Sequence, residues 1–348
     1  MLLFISVIFF IQNLCIYSLH ALPFSDIDAI SYKRGAPMEQ FYRGKNVLVT
    51  GGCGFIGSHI AEKLVDLGAH VTILDDLSTG FLHNIESIKN KVTLIIASIT
   101  DPNICKNTTK NKDIIFHLAA FISVPQSVEE PLVCHNVNIN GTLNLLEAAR
   151  INNVQRFVFS SSSAVYGSTN DIAKETDPCI PTSPYGMSKR VGELYCQQYA
   201  QHYGLKTICL RYFNVYGPRQ DPNGPYAAVV AKFTYQMKHN LPITIFGDGK
   251  QTRDFIPVTD VANANLQCGM LNADLMNGQP FNIATGQSIN LFELIELLKQ
   301  QFPNYTEQIL FGPPRPGDTK DSQADCSKYF SLILGKMVNL EPYKKLQT

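Results

Sequence analysis

From Asn46 onward, short apolar runs alternate with longer segments in which apolar residues recur at helical spacing. This alternation predicts a parallel sheet covered by helices on both faces, because strands buried on both sides are apolar throughout. The predicted strands are Asn46–Thr50, His70–Leu74, Val92–Ala97, Asp113–Leu118, Arg156–Ser161 and Leu205–Arg211. The predicted helices are Gly57–Leu67, Pro131–Ile151 and Tyr185–Tyr203; Ser183-Pro184 opens the last of these and Gly204 closes it.

After Arg211 the pattern loosens into loops rich in proline and glycine, with a helix near Tyr226–His239 and further pieces around Leu291–Gln301. We therefore predict an α/β fold with a doubly wound parallel sheet and a smaller C-terminal lobe. The predicted large domain covers 45–211, with 253–285 returning to it. The smaller lobe covers 212–252 and 286–348, and residues 1–44 form an N-terminal extension of uncertain status.

The beginning of the chain leaves three interpretations open. Met1–Ile11 is almost wholly apolar, but about 20 apolar residues are needed to cross a bilayer. No Lys or Arg precedes Lys33, so the basic region of a signal peptide is missing. The segment is a weak signal or anchor, an organelle-type leader, or lies upstream of a functional start at Met38. We favour the last, because the stretch from Met38 leads directly into the first strand, and we predict a cytoplasmic protein.

Composition narrows the classes of partner. The 348 residues include 29 Lys+Arg and 29 Asp+Glu, so the formal net charge is zero. A general affinity for nucleic acid or an anionic membrane is therefore not expected. The nine cysteines form neither a C-x-x-C pair nor a cluster with histidine. This predicts free thiols in a reducing compartment and no metal site.

A glycine-rich turn follows the first strand and leads at once into a helix. In Gly51-Gly52-Cys53-Gly54-Phe55-Ile56-Gly57 the glycines allow a tight turn and the close approach of a pyrophosphate to the helix N-terminus. The residues predicted to contact a dinucleotide here are Gly51, Gly54, Phe55, Ile56 and Gly57.

A second strand ends near Asp75, eighteen residues past Gly57. A carboxylate there would accept both ribose hydroxyls of NAD and repel the 2′-phosphate of NADP. Asp76 either contacts the adenosine or is a solvated neighbour. A glycine turn of purely structural use is the alternative to an NAD site.

Tyr185 and Lys189 lie four residues apart, so they project from the same face of one helix. A tyrosine with the ordinary pKa of about 10 is a poor base at neutral pH. A lysine ammonium and an oxidised nicotinamide nearby would each lower that pKa, and Lys189 could also hold the nicotinamide ribose. The run Ser160–Ser163 ends a predicted central strand, where a hydroxyl could relay the proton of a substrate alcohol. An ordinary surface pair and a polar strand end are the simpler interpretations.

Eight motifs in order carry a resemblance to a known family. They are T-G-G-C-G-F-I-G (Thr50–Gly57), F-H-L-A-A (Phe116–Ala120), N-I-N-G-T (Asn138–Thr142), S-S-S-A-V-Y-G (Ser161–Gly167), S-P-Y-G-M-S-K (Ser183–Lys189), R-Y-F-N-V-Y-G-P-R (Arg211–Arg219), F-G-D-G-K-Q-T-R-D-F (Phe246–Phe255) and R-P-G-D (Arg315–Asp318). From about Lys45 to Leu334 the chain resembles the extended short-chain dehydrogenases, and among them the NAD-dependent UDP-sugar 4-epimerases.

The resemblance implies roles for matching positions. Ser162 falls on the catalytic serine, Tyr185 on the base and Lys189 on its helper. Further cofactor-contacting positions fall on Leu118, Ala119, Asn138 and Tyr212, and on Ser98 and Ile99, where many relatives have an Asp that contacts adenine. The family's UDP-binding positions fall on Asn214, Arg253 and Arg315, and a position near the ribose of UDP falls on Asp318. Arginine suits a diphosphate bound without metal.

The resemblance also implies a reaction. In the family scheme, hydride leaves sugar C4 for NAD as Tyr185 takes the O4 proton, and the keto sugar turns before hydride returns to the other face. Dehydrating and decarboxylating relatives carry a carboxylate where this chain has Ser163 and Ala164, which favours epimerisation. The non-catalytic alternative is an NAD-sensing module.

The choice of sugar depends on a weaker signal. The family's position beside the sugar C2 substituent falls on the small Ser322, and Ser123-Val124-Pro125 resembles the branch of the family that prefers N-acetylhexosamines. The resemblance thus favours UDP-N-acetylglucosamine and UDP-N-acetylgalactosamine, with UDP-glucose and UDP-galactose as a second pair. UDP-glucuronate 4-epimerisation remains an alternative. A homodimer through the helices Pro131–Ile151 and Tyr185–Tyr203 is also implied.

Overall fold

Seven parallel strands form the central sheet in a computed structural model that describes residues 35–168, 172–223, 228–314 and 320–335. The sheet strands are β1 (Asn46–Thr50), β2 (His70–Asp75), β3 (Val92–Ile96), β4 (Ile114–His117), β5 (Arg156–Ser162), β6 (Lys206–Tyr212) and β11 (Asn277–Ile283). Their order is β11-β6-β5-β4-β1-β2-β3. The chain therefore winds outward in both directions from β1 and β4, and the predicted doubly wound parallel sheet is confirmed.

Alternation within each strand assigns its side chains to the two faces of the sheet. Val47 and Val49 belong to one buried cluster, whereas Leu48 between them belongs to a second cluster on the opposite face. Phe157 and Phe159 share the second cluster, and Val158 belongs to the first. Because both faces are buried, these strands carry apolar residues at successive positions.

Helices cover both faces. They are α1 (Gly35–Tyr42), α2 (Phe55–Asp66), α3 (Pro102–Thr108), α4 (Val124–Glu129), α5 (Pro131–His135), α6 (Gly141–Ile151), α7 (Pro184–Tyr203), α8 (Val229–Lys238), α9 (Val258–Gly269), α10 (Leu291–Gln301) and α11 (Ser327–Gly335). Helices α2 and α9 supply Ile60, Leu64 and Val261 to the first cluster. Helices α6 and α7 supply Leu145 and Cys196 to the second.

The helix predicted at Pro131–Ile151 is interrupted. Helix α5 ends at His135, a π-helical turn covers Asn136–Asn140, and α6 begins at Gly141. The π turn carries Asn138, which is 3% exposed and whose amide donates to the Phe121 carbonyl at 3.0 Å. These side-chain bonds accompany a local departure from α-helical geometry that apolar spacing alone does not predict.

A third cluster of buried residues lies in the C-terminal part of the chain. It joins α8 and α10 to the parallel pair β8 (Ile243–Phe246) and β13 (Ile309–Gly312). The remaining short pairs are β7 (Asn214–Tyr216) with β10 (Phe255–Pro257), and β9 (Thr252–Arg253) with β12 (Ile289–Asn290). Strand β11 lies within 253–285 and pairs with β6. The division into two lobes stays a prediction.

Two sequence-based expectations concern the chain ends and the thiols. The apolar segment Met1–Ile11 lies outside the described residues, while Met38 lies within α1. Among the residues that the structure describes, no helix combines the length and apolar character that crossing a membrane requires. The eight described cysteines are free thiols, as predicted, and all but Cys179 are buried.

Candidate active site

The turn between β1 and α2 requires glycine at specific positions. Gly51 has φ +68°, and a Cβ there would lie 2.7 Å from the Ala119 nitrogen. A Cβ on Gly57 would lie 2.1 Å from the Gly51 carbonyl oxygen. Gly54 is the N-cap of α2, with Phe55 and Ile56 in the first turn. The main chain is thus exposed at a helix N-terminus, which suits a pyrophosphate.

Asp75 is the last residue of β2, and its carboxylate is held beside this turn. It accepts hydrogen bonds from the main-chain N–H of Cys53 at 2.8 Å and of Leu77 at 2.9 Å. Burial raises the pKa of Asp75, and the two N–H donors oppose that shift. A carboxylate accepts about four hydrogen bonds, so acceptor sites remain for ribose hydroxyls. Asp76 is exposed and accepts from the Ser78 N–H.

Ser98 and Ile99 follow β3. The Ser98 hydroxyl oxygen accepts from the N–H and hydroxyl of Thr100, at 3.4 and 3.1 Å, so its own O–H remains a donor. Ile99 is 3% exposed, and a Cβ on Gly141 would lie 2.6 Å from its Cδ1. The Ile99 side chain is therefore part of the core, and its main chain is what it offers to a cofactor.

The loop after β4 is fixed by buried polar residues. Thr50 Oγ1 accepts from the Ala119 N–H at 3.2 Å and contacts His117 Nδ1 at 2.8 Å. His117 Nε2 contacts the Thr142 hydroxyl at 2.9 Å, and burial lowers the pKa of His117 to about 3. This neutral histidine was not predicted. It joins β1, β4 and α6 where Leu118 and Ala119 begin the loop.

Asn138 holds the same loop rather than opening toward a ligand. Its Oδ1 accepts from the Phe121 N–H at 2.7 Å, and its Nδ2 donates to the Phe121 carbonyl at 3.0 Å and the Ser188 hydroxyl at 2.9 Å. With its side chain engaged in this way, Asn138 positions residues 118–121. The direct contact of Asn138 with a cofactor stays a prediction.

Ser162, Tyr185 and Lys189 come together where β5 ends and α7 begins. The Ser183 hydroxyl caps α7 by accepting from the Gly186 N–H at 3.1 Å, which fixes the turn that carries Tyr185. The Ser162 and Tyr185 side chains line the same cavity, and Ser162 is close enough to Tyr185 to act against the rise in the phenol's pKa. Lys189 Nζ donates to the Ser160 carbonyl at 2.9 Å and lies 5.8 Å from the centre of the Tyr185 ring. A phenol, a hydroxyl and an ammonium group thus share one site.

Burial dominates the acid–base properties of this trio. It raises the pKa of Tyr185, while the nearby Ser162 acts in the opposite direction and Cys134 adds to the rise. Burial lowers the pKa of Lys189 to about 8. The expectation that Lys189 lowers the Tyr185 pKa is not met in this structure. The physical reason is that the ammonium is bonded to the Ser160 carbonyl while the phenol is desolvated.

A cavity of about 550 Å³ adjoins the trio. Its wall brings together seven predicted residues: Ser123, Ser162, Tyr185, Tyr212, Asn214, Arg253 and Ser322. The Tyr212 hydroxyl lies between Ser160 Oγ at 2.9 Å and Asn265 Oδ1 at 2.8 Å. Arg315 and Asp318, also predicted, lie outside the described residues.

Hydrogen bonds to main-chain carbonyls hold Arg253 and Asn214 in the cavity wall. Arg253 Nη1 donates to the Thr252 carbonyl at 2.7 Å and the Lys320 carbonyl at 3.4 Å. Asn214 Nδ2 donates to the Asp254 carbonyl at 3.3 Å and lies 3.5 Å from the Ser322 hydroxyl. Main-chain carbonyls thus help to fix the position of the Arg253 guanidinium in the cavity wall.

The sequence-based prediction missed several residues of the cavity wall. They are Tyr166, Thr182, Phe213, Lys232, Phe233 and Asp321. Tyr166 stands in a motif that carried the resemblance, and Lys232 lies in a predicted helix. A single charge within the otherwise apolar run Ala228–Phe233 was the signal available for Lys232.

The parallel sheet with its glycine turn is the fold of a dinucleotide-binding protein, and Ser162, Tyr185 and Lys189 lie together beside a cavity. The model of the NAD dependent epimerase/dehydratase family matches residues 47–284. The chain therefore belongs to that family, and the predictions of an NAD-dependent epimerase of this family and of NAD as its cofactor are confirmed.

Individual relatives cover most of the chain. A putative UDP-glucose 4-epimerase of Methanocaldococcus jannaschii is 41% identical, over 82% of this chain and 92% of its own length. The UDP-N-acetylglucosamine 4-epimerase of Methanobrevibacter ruminantium, solved with UDP-N-acetylmuramic acid, is 40% identical with a TM-score of 0.79, covering 87% of this chain and 94% of that one. The Thermus thermophilus UDP-glucose 4-epimerase, solved with NAD, is 37% identical with a TM-score of 0.75, covering 84% and 93%.

Proposed function

We propose that the protein interconverts C4 epimers of a UDP-hexose, and that UDP-N-acetylglucosamine and UDP-N-acetylgalactosamine are its main pair, with UDP-glucose and UDP-galactose as a second. The observation that carries the proposal is that Ser162 and Tyr185 lie in the wall of the same cavity as Asn214 and Arg253. Proton-transfer groups thus face the same space as donors suited to a nucleoside diphosphate.

The residues around the glycine turn fit NAD. Gly51, Gly54 and Gly57 would take the pyrophosphate at the N-terminus of α2, and Asp75 the adenosine ribose. Lys189, beside Tyr185, would take the nicotinamide ribose. When bound, NAD supplies a reversible hydride acceptor for sugar C4.

The chain's own residues move the O4 proton. Ser162 bridges the substrate hydroxyl and the Tyr185 phenol, so the proton reaches Tyr185 directly or through the serine. An oxidised nicotinamide would favour the phenolate in the step that needs it, while the raised pKa of Tyr185 favours proton return to the sugar. Both directions are needed, because an epimerase oxidises and then reduces the same carbon.

The cavity wall favours epimerisation over elimination. Ser163 and Ala164 line the cavity next to Ser162, so no carboxylate follows the catalytic hydroxyl. Among the described lining residues the carboxylate present is Asp321, which accepts from the Thr252 hydroxyl at 2.9 Å. Ser322, a small residue in the same wall, supports room for an N-acetyl group.

The test is to incubate the purified protein with NAD and each UDP-hexose in turn, separate the sugars by chromatography, and follow the absorbance of reduced nicotinamide. We expect epimer formation without net reduction of NAD. Net reduction would indicate a dehydrogenase, and epimerisation confined to UDP-glucuronate would replace the proposed substrate. NAD binding without any sugar conversion would indicate a sensing module.

A further inference from the structure

The first turn of α7 donates one hydrogen bond to another helix. The first N–H groups of a helix have no partner within it. In α7, Pro184 has no N–H, and the N–H of Gly186 donates to the Ser183 hydroxyl at 3.1 Å. The N–H of Tyr185 donates to the hydroxyl oxygen of Ser127, which lies on α4, at 3.1 Å. Ser127 therefore completes the N-terminal cap of the helix that carries the phenol.

The Ser127 hydroxyl is oriented as an acceptor. Ser127 is 0% exposed, and its O–H donates to the Val124 carbonyl at 2.6 Å. A hydroxyl has one proton to donate, so Ser127 presents the lone pairs of its oxygen to the N–H of Tyr185. Removing the oxygen would leave that N–H without its partner next to a fully buried residue, which is unfavourable.

Helix α4 begins in the cavity wall. Ser123, Val124 and Pro125 line the cavity, as does Tyr185 on α7. The Ser123 carbonyl accepts from the N–H of Ser127 at 3.0 Å. Ser127 is itself absent from the described lining residues, but it is bonded to the wall on one side and to Tyr185 on the other. A single buried side chain thus ties two parts of the wall together.

We propose that Ser127 is a positioning residue, which holds Tyr185 in a fixed place relative to the Ser123–Pro125 part of the cavity wall. This inference rests on the proposed function, because it takes Tyr185 to be the group that exchanges a proton with sugar O4. The Ser188 hydroxyl donates to the Tyr185 carbonyl at 2.7 Å, so side chains hold the main chain of Tyr185 at both its N–H and its carbonyl. Proton transfer requires hydrogen-bond reach, and a displacement of about 1 Å can lower a rate about 100-fold.

The experiment compares Ser127→Ala with a matched control, in the full chain with NAD present. The control is Thr207→Val: Thr207 is also 0% exposed, and its hydroxyl donates to the Cys196 carbonyl of α7 at 2.7 Å, away from Tyr185. Both substitutions remove a buried hydroxyl that is bonded to the main chain of the same helix. We expect Ser127→Ala to lower kcat for UDP-hexose epimerisation at least tenfold and to change the dissociation constant of UDP less than twofold. Thr207→Val should change both quantities less than twofold.

Hydrogen exchange of the Tyr185 amide provides a readout that needs no turnover. Exchange should be at least tenfold faster in Ser127→Ala than in the wild type and unchanged in Thr207→Val, because only the first substitution removes the acceptor of that N–H. Ser127→Thr, which keeps the oxygen, should restore slow exchange and bring kcat to within threefold of the wild type.

Three results would overturn the proposal: equal losses of kcat in Ser127→Ala and Thr207→Val, slow exchange of the Tyr185 amide in Ser127→Ala, or slow exchange without recovery of kcat in Ser127→Thr. If the wild type converts no UDP-hexose while the exchange of Tyr185 responds as expected, only the proposed function fails. If the wild type epimerises a UDP-hexose and Ser127→Ala does so equally fast, only this inference fails.

Discussion

The carboxylate of Glu193 and the guanidinium of Arg211 form a two-point ion pair between α7 and β6. Arg211 Nε donates to Oε1 and Nη2 to Oε2, both at 2.8 Å, and the two side chains are 1% and 0% exposed. Glu193 also accepts from the Ser161 hydroxyl at 2.6 Å. One carboxylate thus ties the helix that carries Lys189 to the strand that ends in Ser162.

Glu193→Gln should destabilise the protein strongly. The amide keeps the shape of the side chain but leaves the buried Arg211 charge uncompensated, so we expect the free energy of unfolding to fall by about 3–5 kcal/mol. Urea unfolding at neutral pH measures it. The control is Glu296→Gln, at an exposed carboxylate that pairs with Lys299; it should change stability by less than about 1 kcal/mol. Equal effects of the two substitutions would contradict the structural importance of the pair.

Lys189→Met should stabilise the fold while abolishing activity. The pKa of the buried Lys189 is lowered to about 8, against about 10.4 in an unfolded chain. Carrying this charge therefore costs the native wild type up to about 3 kcal/mol at neutral pH, part of which the hydrogen bond to Ser160 offsets.

The pH dependence gives the sign of this effect. Between the two pKa values the unfolded wild type binds more protons than the native state, so wild-type stability rises with pH there. The advantage of Lys189→Met should be largest below pH 8, shrink above it and vanish near pH 10.5. Unfolding curves of both proteins across this range measure the difference. An advantage independent of pH would contradict the low pKa.

The sheet was predictable because local sequence and tertiary structure agree. Val47, Leu48 and Val49 are apolar in succession, and a strand buried on both faces is the arrangement that satisfies all three. Glycine at 51 and 57 was equally informative, since any side chain there would collide with main chain.

Other features depend on contacts that no local pattern contains. Asn138 adopts its π turn beside Phe121 and Ser188, 17 and 50 residues away. Lys232 becomes a wall residue only because α8 packs against the C-terminal cluster. The Tyr185 pKa depends on burial, which motif spacing does not report.

Asp75→Asn should weaken the preference for NAD over NADP. The amide loses the charge that repels a 2′-phosphate and one of the acceptors for the ribose hydroxyls, so we expect the ratio of the two affinities to fall at least tenfold. Fluorescence titration with each dinucleotide measures it. The control is Asp76→Asn, at the exposed neighbour. If it changed the ratio as much as Asp75→Asn does, the assignment of the ribose to Asp75 would be contradicted.

The predicted homodimer has a candidate surface. Val128, Leu132, Met187 and Leu194, on α4, α5 and α7, are 63%, 83%, 49% and 43% exposed. Burying such side chains against a second copy would remove apolar surface from water. Leu132→Glu should therefore shift the protein toward the monomer in sedimentation velocity. Phe311→Glu, also at an exposed apolar residue (61%), should not; a mass unchanged by Leu132→Glu would place any dimer contact elsewhere.

Ser322→Tyr should separate the two sugar pairs. The main chain at Ser322 is fixed, because its carbonyl accepts from the Asp254 N–H at 2.8 Å, so a larger side chain must project into the cavity instead of moving the backbone away. A tyrosine would fill space that an N-acetyl group needs but a C2 hydroxyl does not. We expect kcat/KM to fall about 10–100-fold for UDP-N-acetylglucosamine and less than threefold for UDP-glucose. Ser322→Ala, which also loses the hydroxyl near Asn214, should preserve both reactions. If tyrosine depressed both substrates equally, Ser322 would not be the residue that admits the acetyl group.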